Sequence, residues 1–138
     1  MNNWYISVFA LLFSLNGMAQ SKKEIKKLKI KSVTVSVTEV ADGKEKTFNE
    51  RFKRFDKDAN ELEDIEFNKD GTFKKKIVSK FNKNNDPVEE LHYDEKGTLL
   101  KKIVTEYNMD KNKTLEIIYD GNDQVVEKSQ FGYNSFGE

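Results

Sequence analysis

Three Asx-rich segments recur at intervals of 26 residues: Asp56-Lys57-Asp58-Ala59-Asn60, Asn82-Lys83-Asn84-Asn85-Asp86 and Asn108-Met109-Asp110-Lys111-Asn112. Side-chain oxygens at alternate positions of a turn resemble the opening of a calcium loop, where hard donors surround the cation. Asp56, Asp58 and Asn60 come closest and are the candidate metal ligands. Glu61 stands where an EF-hand loop needs glycine, and Phe67 where it needs a bidentate glutamate. The competing role is turn formation, because Asx side chains accept hydrogen bonds from the backbone two residues on. No other motif calls for a cofactor.

Catalytic chemistry has few carriers. The chain has no cysteine, which excludes disulfides, thiolate nucleophiles, iron–sulfur clusters and cysteine-based zinc sites. His92 is the only histidine and lies between Glu90 and Asp94, with no G-x-S-x-G turn to supply a nucleophile. Glu89 and Glu90 have the chemistry of a glycosidase pair, but strand-face Glu and Lys ordinarily pair with each other. No phosphate-binding glycine loop or zinc spacing is present. The expectation is a protein that is not an enzyme, with a carbohydrate-active enzyme as the remote alternative. Aromatics interleaved with lysines resemble single-strand nucleic-acid platforms. The balance of 24 basic and 24 acidic side chains removes the electrostatic drive for nucleic acid or an anionic membrane.

The elements that hold these residues follow a leader. Residues 1–20 lack any charged side chain, and an apolar run extends from Trp4 to Leu15. Gly17 and Ala19 place small residues at the −3 and −1 positions of a signal-peptidase site, giving a signal peptide over 1–19. The run of 12 is too short for a membrane-spanning helix, which needs about 20. The expected location is therefore periplasmic or extracellular, with no stable membrane insertion after cleavage. Residues 20–31 form a basic linker; its six lysines and one glutamate give +5, which leaves −5 for residues 32–138. Such a run reads as a solvated tail, or as a segment resting on an acidic surface, this sheet's own among the options.

The remaining residues, 32–138, are a β-repeat domain. Aromatics at 55, 67, 81, 93, 107, 119 and 133 are separated alternately by 12 and 14 residues, and each is followed by Asx. Each ends a run of strand character, and an Asx- or Gly-containing turn follows. The expected fold is all-β: an antiparallel meander of hairpins with a 26-residue period, forming a twisted single sheet or a partly closed barrel. Ser32–Val40 alternates Val with Ser and Thr and reads as a strand. Residues 47–55 offer helical spacing of Phe48, Phe52 and Phe55 and a Thr47-x-x-Glu50 capping pattern. The repeat phase favours a strand there.

Strand side chains alternate faces, so even spacings put all seven aromatics on one side if the turns preserve parity. Exposing them would forgo roughly 10–20 kcal/mol, so that face requires cover. Ile65, Phe73, Ile77, Leu91, Leu99, Ile103, Leu115 and Ile117 fall on the same parity. On the other parity, Phe52, Val78 and Val104 form a column at the 26-residue period, a candidate binding stripe set against ordinary scattered surface apolars.

Tyr93-Asp94-Glu95-Lys96-Gly97-Thr98-Leu99 resembles the Y-D-x-x-G-x-L core of the YD repeats of RHS-type proteins. Phe67-Asn68-Lys69-Asp70-Gly71 and Tyr119-Asp120 match more loosely. The resemblance implies exported repetitive β-structure linked to carbohydrate or cell-surface interaction; it brings no activity, and these few units cannot enclose a cargo. The functional expectation is a binding or structural module of the cell envelope that recognises a polysaccharide, another surface polymer or an envelope protein. Its alternative is a self-associating subunit, a homo-oligomer completed by its own copy or by a partner chain.

Overall fold

The computed structural model describes residues 21–134, so the signal-peptide reading of 1–19 lies outside the described residues. One short helix, α1 (Lys22–Leu28), precedes eight strands: β1 (Ser32–Ala41), β2 (Lys44–Phe55), β3 (Glu61–Phe67), β4 (Phe73–Phe81), β5 (Pro87–Tyr93), β6 (Leu99–Tyr107), β7 (Lys113–Asp120) and β8 (Val125–Gln130). The strands pair antiparallel in chain order, β1 to β8, as one sheet. β1 and β8 remain its two edges, so the sheet is open rather than barrel-like. Residues 47–55 belong to β2, and the repeat phase prevails over the helical spacing of their phenylalanines.

The connections from β2 onward share one geometry. In each of the six five-residue turns, the first N–H donates to the fifth carbonyl over 2.8–3.0 Å, and the fourth N–H donates to the first carbonyl over 2.9–3.1 Å. The fourth position has positive φ: Ala59, Gly71, Asn85, Gly97, Lys111 and Asp123, between 62° and 83°. At Asp56, Asn82, Asp94, Asn108 and Asp120 a side-chain oxygen of the first residue accepts from the third and fifth N–H groups. The recurring Asx is therefore a turn-closing residue.

Each hairpin also contains a register shift immediately beside its aromatic: Arg54/Phe55, Glu66/Phe67, Lys80/Phe81, His92/Tyr93, Glu106/Tyr107 and Ile118/Tyr119. An extra residue on one strand reverses the odd–even relation between neighbours. The expectation that all seven aromatics share a face fails for this reason. Phe67, Tyr93 and Tyr119 lie on one face, directly opposite Phe73, Leu99 and Val125. Strand alternation from Arg54, Lys80 and Glu106 turns Phe55, Phe81 and Tyr107 to the reverse face. Ile77 and Ile103 join them there, opposite His92 and Glu90.

That division removes the need for one covered aromatic face. Among the described residues, Ile25, Ala59, Asn60 and Thr105 are buried, and most strand residues are half-buried. The sheet is a single layer held by cross-strand pairs. Each pair contributes about 0.2–1 kcal/mol, and aliphatic stems of Lys and Arg cover neighbouring apolar surface. The ion pairs Lys76–Glu63 (2.6 Å), Lys75–Glu66 (2.9 Å) and Lys80–Glu89 (2.6 Å) tie β3, β4 and β5.

The basic segment after residue 20 is ordered rather than a free tail. Ser21 and Glu24 form a capping box that starts α1, and Ile25 is buried. Lys22 donates to Asn60 Oδ1 at 2.6 Å and Lys26 to Asp58 Oδ1 at 2.9 Å, which docks the helix on the β2–β3 turn.

Candidate functional site

The stripe residues come together with partners that the 26-residue column did not contain. Phe52 stands directly opposite Ile65, Val78 opposite Leu91, and Val104 opposite Ile117. Ile65 and Leu91 reach Val78 and Val104 along the diagonal, because their direct partners are Lys76 and Lys102. Six half-buried apolar side chains therefore step obliquely across β2 to β7. The missed residues Ile65, Leu91 and Ile117 had a usable signal: 52, 65, 78, 91, 104 and 117 are all 13 apart. The same interval ends in polar residues, Glu39 and Gln130.

On β3, β5 and β7 the aromatics Phe67, Tyr93 and Tyr119 sit two residues beyond the stripe on the same face. Between these aromatics stand Lys76 on β4, opposite Tyr93, and Lys102 on β6, opposite Tyr119. Lys102 Nζ lies 4.2 Å from the centroid of the Tyr119 ring and also pairs with Asp123. The opposite border is charged: Arg54 meets Glu63 at 3.2 Å and Lys80 meets Glu89 at 2.6 Å. At its first end the stripe borders a groove of about 760 Å³ lined by Phe52 and Arg54 together with Ile25, Lys26, Lys29 and Ile30.

Electrostatics concentrate on the reverse face of β2 and β3. Arg51 Nε donates to Asp64 Oδ1 at 2.7 Å, and Arg51 Nη2 pairs with the second oxygen. Burial alone would raise the Asp64 carboxyl; the bonds and charge of Arg51, with Lys53, hold it below its usual range. The same pair raises Arg51, its bond to Asp64 outweighing desolvation. Glu66, on the same face, is lowered chiefly by its bond to Lys75, and Glu63, on the stripe face, by its bond to Lys76.

The candidate calcium ligands Asp56, Asp58 and Asn60 do converge on one turn. Their oxygens already have donors, however. Asp56 Oδ1 accepts from two backbone N–H groups and Oδ2 from Asn60 Nδ2 at 2.8 Å. Asp58 Oδ1 takes Lys26, and Asn60 Oδ1 takes Lys22. Asn60 Nδ2 further donates to Asn85 Oδ1 at 2.7 Å, linking this turn to the next in its series. Among the described residues no group of three or more His, Cys, Asp or Glu side chains is arranged to hold a metal.

Glu89 and Glu90 project from opposite faces, paired with Val104 and Ile103 respectively, so they cannot flank one bond. His92 Nε2 lies 3.3 Å from Glu90 Oε2. Ser79 stands opposite Glu90, yet neither of those side chains bonds to it, and no nucleophile–base contact forms. Among the described residues no helix is long and apolar enough to cross a membrane.

The YD-like motif has a complete physical account here. Tyr93 pairs with Leu99 on the stripe face, Asp94 closes the turn through the N–H groups of Lys96 and Thr98, and Gly97 takes φ 76°. In the last turn Asp123 adopts φ 64° in place of that glycine.

No protein-family model matches the chain. No curated protein matches it. Among solved structures, the crystal structure of TarM is similar over 82% of this chain and 19% of that chain, with 15% identity and a TM-score of 0.33. The chain thus spans about a fifth of that protein's length.

Proposed function

We propose that this chain is an exported, non-enzymatic binding module of the cell envelope, akin to YD-type repeats, and that its stripe face engages an extended surface polymer. The observation that carries the reading is the apolar diagonal Phe52–Ile65–Val78–Leu91–Val104–Ile117, half-open to solvent across six strands. The surface beside it repeats at every second strand through Phe67, Tyr93 and Tyr119, a spacing of about 10 Å. A periodic, open surface suits a ligand that is itself periodic and longer than a pocket. Aromatic faces alongside alternating Lys and Glu offer stacking and hydrogen bonding to sugar rings. Export rests on the residues of 1–19. The placement of Glu89, Glu90 and His92 supports the non-enzymatic part of the reading.

A polysaccharide array printed with oligomers of graded length tests the proposal. Binding should strengthen with chain length and be lost in Leu91→Lys with the fold retained by circular dichroism. An envelope-protein ligand is the outcome if no glycan binds but a purified envelope fraction is retained in a Leu91-dependent manner. Retention of neither sinks the reading.

A further inference from the structure

The two edges of the sheet are not alike. β8 has six residues, of which Glu127 and Lys128 are charged. β1 has ten residues and one charge, Glu39. It contains no proline, lysine or arginine, and it alternates Val with Ser and Thr. Among the described residues β1 pairs only with β2, which leaves the other row of its backbone N–H and C=O groups without a strand partner. Long, lightly charged edges are templates for another strand, and proteins ordinarily blunt them with charge, proline, bulges or cover. The register shift between Val35 and Ser36 puts its extra residue, Glu50, on β2 and leaves β1 regular. The interior strand β4, by contrast, has four lysines among its nine residues.

The order of residues in β1 indicates which strand fits. Thr34-Val35-Ser36-Val37-Thr38 reads the same in both directions. We propose that β1 pairs antiparallel with β1 of a second copy of this chain, about a two-fold axis through Ser36. In that register Val35 meets the partner's Val37, Thr34 meets the partner's Thr38, and Ser36 meets its own counterpart. Glu39 falls opposite the partner's Val33, so no like charges face each other. Opposed Val–Val and Thr–Thr pairs are favourable cross-strand pairs. Val35, 38% exposed in the single chain, gains cover on its face of the sheet. β8 provides no equivalent pattern, so the assembly closes as a dimer rather than extending as a fibre. The axis is normal to the sheet, so both stripes face the same side, and one long polymer would meet two copies of the site.

The test is sedimentation equilibrium on the protein purified from an expressing host, from micromolar to millimolar concentration. The wild type should show a reversible monomer–dimer equilibrium with no larger species. Thr34→Lys/Thr38→Lys sets lysines against lysines across the axis and should weaken dimerisation at least tenfold. Thr34→Lys/Thr38→Glu sets lysine against glutamate and should keep the dimer. Circular dichroism of both variants checks that the sheet forms. A wild type that stays monomeric, a mass that grows beyond two copies, or equal behaviour of the two double variants overturns the proposal. None of these outcomes depends on glycan binding, so the dimer and the polymer reading fail separately.

Discussion

The Tyr107 hydroxyl donates to the Pro87 carbonyl oxygen over 3.0 Å, and Tyr133 makes the same bond to Lys113 over 2.7 Å, 26 residues further on. Each tyrosine reaches back 20 residues, across to the preceding strand. The phenol thus fastens one hairpin to the next at the turn edge of the reverse face. Burial raises the Tyr107 phenol above its usual range. Tyr107→Phe keeps the ring and removes the bond, so it should lower stability by about 1 kcal/mol in urea denaturation. An unchanged midpoint would show that water replaces the bond without loss.

The turns make a pair of opposite predictions. Lys111 holds φ 64° in a position where only glycine is free of steric penalty. Lys111→Gly should therefore stabilise the protein, by about 0.5–1 kcal/mol after the larger chain entropy of the unfolded glycine is deducted. Gly97→Ala, at φ 76° with open space around it, should destabilise by about 1 kcal/mol. Gly121→Ala should be worse than either, since its methyl would overlap the Leu99 carbonyl. Four thermal melts, wild type included, rank them; the order Lys111→Gly above wild type above Gly97→Ala above Gly121→Ala is required.

Acid should unfold the sheet through β3. The carboxyls of Glu63, Asp64 and Glu66 are all held below their ordinary values of 4.5, 3.8 and 4.5. A carboxylate with a lowered folded pKa contributes stability that is complete above its unfolded value and disappears as pH falls through the folded one. Melting temperature should hold from pH 7 to about pH 5 and then drop as these groups protonate. Asp64→Asn should be less stable at pH 7 and should flatten the drop. A wild-type profile that is level down to pH 2 would refute the assignment.

The stripe should be tolerant of truncation. Leu91 is half-buried within a single layer, so Leu91→Ala gives up transfer energy without opening an enclosed cavity. A loss of about 1–1.5 kcal/mol is expected. A loss of 3 kcal/mol or more, typical of sealed cores, would mean that another surface covers the stripe in solution.

Calcium should leave the fold unmoved. With the oxygens of Asp56, Asp58 and Asn60 engaged by backbone N–H groups, Lys22 and Lys26, a cation would have to displace two ammonium groups and open the turn. Melting curves in millimolar calcium and in chelator should superimpose. A calcium-dependent rise would restore the metal reading.

The repeat was legible because its most distinctive residues serve local purposes. Asp94 closes a turn and Gly97 supplies its positive φ, both within seven residues of Tyr93, so periodicity alone located every hairpin after β2. The distribution of side chains between faces was not legible. The bulge beside each aromatic is a property of the hairpin, and no residue type marks it, so Ile77 and Phe81 moved to a face that parity denied them. The stripe was half visible for the same reason: Phe52, Val78 and Val104 share a parity, whereas Ile65, Leu91 and Ile117 join them only through the register shifts. α1 is not legible in the sequence because its seven residues are mostly lysine and its one buried residue, Ile25, sets up no periodicity. Its capping box, Ser21-x-x-Glu24, was the available cue.

Among the described residues, every strand of this sheet touches only the strands before and after it in the chain. Its cooperativity is therefore that of a linear zipper: the free energy is a sum over adjoining hairpins, and opening can proceed inward from an end without dismantling the rest. β8, short and open on one side, is the natural point for fraying to begin. Modularity follows for the lineage as well as for the molecule. A 26-residue duplication would insert two strands, restore every register shift and return each side chain to its own face, so such a protein can change reach without inventing a new fold.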